Sequence, residues 1–260
     1  LYELALDRVR GVLGVLPQTL TLVTQKIVER LLYKEPFDNA HLTLRTRIRE
    51  QLQEGLPFVG KKLVFRLLRE NGLHTSEFGE ELLSEHVKPE EVEIREMVEL
   101  ANHELLRARE LSWELFRTSE ARLKEDLAEA LRILDATWED SRSFAFEFIE
   151  GRCDAEGLTA EVLVSICDSV RPDVQEFGKA LIQKHYGPED GPEYIEKLAQ
   201  HPSPPVERFV TQYLVHAEGN LERIRGLDEY FRRVLCRFNK GRAAKDEGLK
   251  FLHAEGLKSE

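Results

Sequence analysis

The chain has 260 residues with 42% hydrophobic and 33% charged content and a formal net charge of −11, enough apolar material for packed cores and too much for a disordered chain. No window approaches the roughly 18 to 20 uninterrupted apolar residues that cross a bilayer; Val9 to Val23 comes nearest and is broken by Arg10, Pro17 and Gln18. Phosphate-binding Gly-x-x-x-x-Gly-Lys-Ser/Thr and Gly-x-Gly-x-x-Gly loops and a Gly-x-Ser-x-Gly elbow do not occur, which removes the commonest nucleotide-binding and hydrolase signatures.

In chain order, Leu13, Leu16, Leu20, Val23, Ile27, Leu31 and Leu32 follow helical spacing, and Pro17 marks a kink or boundary. Pro36 to His41 reads as a loop. Thr43 to Gln53 then predicts an amphipathic helix, with Leu44, Ile48 and Leu52 on one face and Arg45, Arg47 and Arg49 on the others, closed by Gly55-Leu-Pro57. From there a recurrence takes over. Apolar anchors stand at Phe78, Leu111, Phe144, Phe177 and Phe209, spaced 33, 33, 33 and 32 residues apart, the signature of a helical repeat array. Each anchor is followed at plus four and plus five by an apolar pair: Leu82-Leu83, Leu115-Phe116, Phe148-Ile149, Leu181-Ile182 and Tyr213-Leu214. At minus fourteen and minus eleven stand Val64 and Leu67, Met97 and Leu100, Ala130 and Ile133, Leu163 and Ile166, and Ile195 and Leu198. Two helices per repeat follow. Asp140 or Ser141, Asp173 and Ser203 are placed to cap the second helix, with Pro204 at a first helical position. Gly151 to Gly157 and Gly187 to Pro192 punctuate the joins between repeats. Gly79 and Gly178 fall inside helices, where glycine costs about 1 kcal/mol relative to alanine, and predict close helix-to-helix packing. At the end, Leu221 to Phe238 and Arg242 to His253 read as two further helices.

Around the anchors, Arg171-Pro-Asp-Val-Gln-Glu-Phe-Gly and Thr137-Trp-Glu-Asp-Ser-Arg-Ser-Phe-Ala resemble the HEAT-repeat signature, an acidic turn followed by Val-Arg-x-x-Ala opening the second helix. The signature arginine is present as Arg109 and Arg142 and replaced by Gln175 and Glu207; the small residue after the anchor is Gly79, Ser112, Ala145 and Gly178, then Val210. The resemblance covers about residues 64 to 214. It implies an all-α solenoid of about five antiparallel helix pairs, with helical caps at both ends, and it carries over no catalytic residue. The corresponding domains are residues 1–62, an N-terminal helical cap or degenerate repeats; 63–218, the HEAT-like array; and 219–260, a basic helical cap.

Charge divides the same way. Residues 1–70 hold 12 Lys+Arg against 8 Asp+Glu, residues 71–220 hold 15 against 33, and residues 221–260 hold 10 against 7. A body at −18 repels a phosphate backbone and suits basic or neutral partners. The best local anion-binding candidate is the C-terminal cluster Arg232, Arg233, Arg237, Lys240, Arg242 and Lys245 around Asn239-Lys-Gly241, where a helix start adds its own positive end. The competing explanation is that these residues offset a helix C-terminal dipole while Phe231, Leu235 and Phe238 cap the core.

Among the histidines, His103-Glu104 is the one pair that matches the His-Glu dyads of metal-binding HEAT-like enzymes; Glu85-His86 is reversed, so no metal and no cofactor is expected. His86 and His185 occupy equivalent places near helix C-termini. Trp113, Trp138 and Asp140 superficially supply the parts of a solenoid DNA glycosylase, against an acidic body. Cys153, Cys167 and Cys236 form no Cys-x-x-Cys pair, which fits a reducing, cytoplasmic compartment. The opening Leu1, with no start methionine, reads as a fragment or processed form.

The first reading is therefore a non-enzymatic scaffold or adaptor that presents a solenoid surface to a protein partner, with no membrane association. The second is an anion- or nucleic-acid-associated module using its basic ends. The third is a divergent HEAT-like enzyme.

Overall fold

The computed structural model describes residues 17–33, 39–70, 72–152, 158–185, 210, 214, 218–236 and 242–258. Every regular element among them is helical, and the chain divides into two compact units, Leu1–Ala130 and Leu131–Glu260.

In the first unit α1 (Pro17–Glu29) runs into a 3-10 turn (Arg30–Leu32), and α2 (Ala40–Gln51) into another (Gln53–Phe58). There follow α3 (Lys61–Leu68), α4 (Leu73–His86), a turn at Pro89–Glu91, α5 (Ile94–Ala101), α6 (Leu106–Thr118), α7 (Glu120–Glu125) and α8 (Leu127–Ala130). The consecutive pairs α3–α4 and α5–α6 pack as hairpins, while α2 lies on α4 and α4 on α6. Side chains tie neighbouring first helices in the same way: Lys61 on α3 reaches Glu96 on α5 at 2.8 Å, and Arg69, which ends α3, meets Glu99 at 2.7 Å. In this stretch α3 thus stands beside α5, and α4 beside α6.

The glycines explain how closely the hairpins pack. A Cβ on Gly79 would sit 2.9 Å from the Leu68 backbone nitrogen and 3.1 Å from Leu67 Cβ. At Ser112, one period on, the hydroxyl donates across the same kind of contact to the Met97 carbonyl at 2.7 Å.

The second unit repeats the device. A 3-10 turn (Leu131–Asp135) packs on α9 (Glu139–Arg152), and α10 (Ala160–Cys167) on α11 (Pro172–His185). A Cβ on Gly178 would lie 2.8 Å from Cys167 Sγ and 2.9 Å from Ile166 Cγ2. Phe146 on α9 stacks on Phe177 of α11 with ring centroids 4.5 Å apart. Then come α12 (Leu221–Gly226), α13 (Asp228–Cys236) and α14 (Arg242–Lys258). Phe231 stacks on Phe251 at 6.1 Å, and Gly219, at φ +75°, donates its N–H to the buried Glu255 at 2.8 Å.

Several expected details change. Helix α2 begins at Ala40, so His41 is helical, with its Nε2 2.8 Å from the Tyr33 carbonyl. Gly55-Leu-Pro57 does not simply close α2. It forms the Gln53–Phe58 turn packed on α1, and Gly55 is required there because a Cβ would fall 2.0 Å from Thr24 Oγ1. The helix expected around Ala130 and Ile133 is broken into α7, α8 and a 3-10 turn. The break is at Asp126, whose Oδ1 accepts the Glu129 N–H at 3.3 Å and so competes with continued helix. Leu221 to Phe238 is likewise interrupted, at the buried Leu227, and α14 runs past His253 to Lys258. Phe209, Ile195, Leu198, Tyr213, Ser203, Pro204 and Phe238 lie outside the described residues.

Candidate functional site

The C-terminal basic residues were the sequence's best site. Arg232 pairs with Asp228 at 3.0 Å and Arg233 approaches Glu229 at 4.0 Å, both one turn back on α13. Arg242 opens α14 and is exposed; Lys245 is half-buried on the same helix. Arg237 and Lys240 lie outside the described residues. Arg232 and Arg233 are therefore engaged by carboxylates of their own helix.

The basic face of α2 meets its acid inside the chain. Arg45 bonds Glu77 at 2.6 Å and also Glu81, while Arg49 bonds Glu81 at 2.7 Å and Glu85 at 3.0 Å. Glu77, Glu81 and Glu85 recur every fourth residue, one face of α4, so two turns of arginine meet three of glutamate. The Arg49 hydrogen bond holds Glu85 below the ordinary carboxylate range. Burial pushes Glu77 upward, but its bonds from Arg45 and His74 outweigh that and lower it. On the neighbouring face burial wins, raising Glu80 despite Arg107.

The histidines and Asp140 make local contacts. His103 Nδ1 accepts the Leu105 N–H at 3.0 Å, and Nε2 lies 2.8 Å from the Leu68 carbonyl. Both nitrogens serve backbone, and the proton belongs on Nε2. No group of three or more His, Cys, Asp or Glu side chains suited to a metal occurs among the described residues. His86 ends α4 as expected, 3.6 Å from Glu85, and His185 ends α11. Asp140 Oδ1 accepts the Ser141 N–H at 2.7 Å in the first turn of α9, so that carboxylate takes up a helix-start amide. Cys167 is buried with its thiol pushed up to about 12 by desolvation, Cys236 is exposed, and Cys153 lies outside the described residues.

What recurs in both units is the bracing of the turns within hairpins. Arg109 donates to the carbonyls of His103 and Glu104, each at 3.0 Å. One period on, Arg142 donates to Ala136 at 2.9 Å and Thr137 at 3.0 Å. Gln175 takes the next place, its amide 2.7 Å from the Ser169 carbonyl. Gln175, which stands where the two preceding turns carry arginine, thus makes the same turn-bracing bond. Adjacent turns are also tied to each other, by His103 to Leu68 in the first unit, and in the second by Arg142 to Asp173 at 2.6 Å and Ser169 to Asp135 at 2.8 Å. Asp173 is expected at a cap; it lies in the first turn of α11, where burial raises it and the Arg142 bond lowers it further, for a net depression.

Each of these three braced turns exposes one large apolar side chain, Leu106 at 50%, Trp138 at 37% and Val170 at 93%, and Leu73, at the equivalent place opening α4, is 57% exposed. Reasoning from sequence singled out only Trp138, for a different role. The signal was present as spacings of 33, 32 and 32 residues, but apolar periodicity alone does not separate an exposed position from a core one. Among the described residues no helix is long and apolar enough to cross a membrane. Comparison of the chain with protein-family models, curated proteins and solved structures gives no match.

Proposed function

We propose that the chain is a HEAT-like α-solenoid of about five helix pairs with helical caps, acting in the cytoplasm as a non-enzymatic scaffold or adaptor that binds a protein partner along its intra-hairpin turns. The carrying observation is that equivalent residues do equivalent work one period apart: Arg109, Arg142 and Gln175 brace successive turns, and those turns expose Leu106, Trp138 and Val170, with Leu73 exposed at the equivalent place opening α4. Repeat arrays offer extended surfaces of this kind, and an apolar residue held out to solvent on a rigid turn is a contact point for a partner. The charge of the array favours basic or neutral partners, while the inward pairing of Arg45 and Arg49 with α4 removes two cations from any polyanion surface.

The test is capture of the intact parent protein from its native cells, with nuclease treatment and a salt series. A defined protein retained through nuclease and high salt is expected. Loss of all bound material on nuclease treatment would transfer the function to the basic ends.

A further inference from the structure

We infer that α14 is a detachable strap, a helix closed over Phe231 of α13, latched by Glu255 to the turn ahead of α12, that lifts away without unfolding the rest of the second unit. The strap is separate from the braced turns of the scaffold reading, since it involves only contacts among the C-terminal helices.

The apolar hold on α14 is slight. Of its 17 residues, those buried are Ala244, Gly248 and Glu255, two small residues and a carboxylate. Phe251 and Leu252 are half-buried, and Leu249 and Leu257 are 53% and 63% exposed. The shorter α11 fully buries Val174, Leu181 and Ile182. Docked helices owe most of their stability to large apolar side chains removed from water, so α14 has far less to lose on lifting than α11.

Its glycines weaken α14 further, and no close contact requires them. A Cβ on Gly248 would rest 3.9 Å from the Phe231 ring, an ordinary van der Waals distance, and one on Gly256 would meet nothing within 4 Å. Gly79 in α4 and Gly178 in α11 differ, because a Cβ there would meet atoms at 2.9 Å and 2.8 Å. Glycine is the poorest helix former after proline, and in α14 tighter packing does not offset that cost.

The far end of α14 is held by polar groups. Glu255 accepts the Gly219 N–H at 2.8 Å and a bond from Lys258 at 2.7 Å, and Lys258 also meets Glu218 at 2.6 Å. Lys258 and Glu218 stand in solvent, where such pairs exchange readily for water. Lifting α14 returns the Glu255 carboxylate to water as well, so the latch opens without stranding a buried charge. The same movement uncovers Phe231, which is buried and stacks on Phe251 of the strap at 6.1 Å.

The test is amide exchange read by mass spectrometry on the full chain at neutral pH, with hydroxyl-radical footprinting of Phe231, in wild type, Glu255→Ala and Gly248→Ala. In wild type, amides of α14 should exchange about tenfold or more faster than those of α11 after correction for intrinsic rates. Glu255→Ala removes the latch while installing a better helix former. Faster α14 exchange and heavier Phe231 oxidation in that variant, with α11 unchanged, therefore report lost docking rather than a weakened helix. Gly248→Ala should act in the opposite sense, slowing α14 exchange about fivefold and lowering Phe231 oxidation. Protection of α14 equal to that of α11, loss of α11 protection along with α14 in Glu255→Ala, or no slowing in Gly248→Ala would overturn the strap.

Discussion

At the scale of single residues, the position that the fold constrains most tightly is the one after each anchor. Phe78 is fully buried, yet Leu111 and Phe177 are only half-buried, whereas Gly79, Ser112, Ala145, Gly178 and Val210 are all buried. Periodicity locates the apolar face but not its line of closest approach, which depends on where two helix backbones touch. Gly79→Ala and Gly178→Ala should therefore each destabilise the chain by about 1 to 3 kcal/mol through overpacking, despite the helix-propensity gain of about 1 kcal/mol. Denaturant midpoints measure this, and a stabilised alanine variant would show that the hairpins yield more easily than their contacts imply. Cys167 supplies a second prediction. With its thiol pushed up to about 12 and its side chain against Gly178, it should resist alkylation in the folded chain at pH 8 while the exposed Cys236 reacts. Mass spectrometry of labelled peptides reads both sites, and rapid modification of native Cys167 would contradict its burial.

At the scale of elements, α2 shows why a charged stripe cannot be assigned to a partner from sequence. Its leucine and isoleucine spacing was legible, but the acids that meet Arg45 and Arg49 lie 32 to 36 residues away, on α4. The same limit applies to Asp126, where one side-chain bond splits a helix that apolar spacing alone would continue. The α2–α4 contact should be sensitive to acid. Glu77 and Glu85 are depressed in the folded chain, so they stabilise it above the unfolded carboxylate pKa, and that contribution disappears as pH falls through their lower folded values. Glu80 runs the other way, since its raised pKa penalises the charged form and relaxes on protonation. With two depressed groups bridging the helices and Glu80 on the other face, amide exchange in Ala40–Gln51, corrected for intrinsic rates, should rise as the pH is lowered below 4.5. Arg49→Met should bring that rise about at neutral pH, with a cost on the order of 1 kcal/mol. Unchanged protection of α2 at low pH would show that Ile48 and Leu52 hold the helix without the charges.

At the scale of the whole molecule, helical content was readable from the period of about 33 residues, whereas the joins expected at Gly151 to Gly157 and Gly187 to Pro192 fall largely outside the described residues and Gly151 itself lies inside α9. The division at Ala130 and Leu131 was not readable, because it falls inside a predicted repeat where no composition change marks it. The site was legible only in fragments. Arg109 and Arg142 stood out through the HEAT resemblance, but the equivalence of Gln175 depended on seeing its amide reach the same turn carbonyl. The exposed residues Leu73, Leu106 and Val170 needed solvent exposure to distinguish them from core leucines and valines. Those turns are what the proposed scaffold uses, so the most direct measurement is site-specific photo-crosslinking in native cells. A photoreactive side chain would be placed in turn at Leu73, Leu106, Trp138 and Val170 and, for comparison, at Glu90 in the turn between α4 and α5. The account predicts crosslinks to a common protein from one or more of the four apolar positions and none from Glu90. Crosslinks to nucleic acid, or to protein from Glu90 alone, would contradict it.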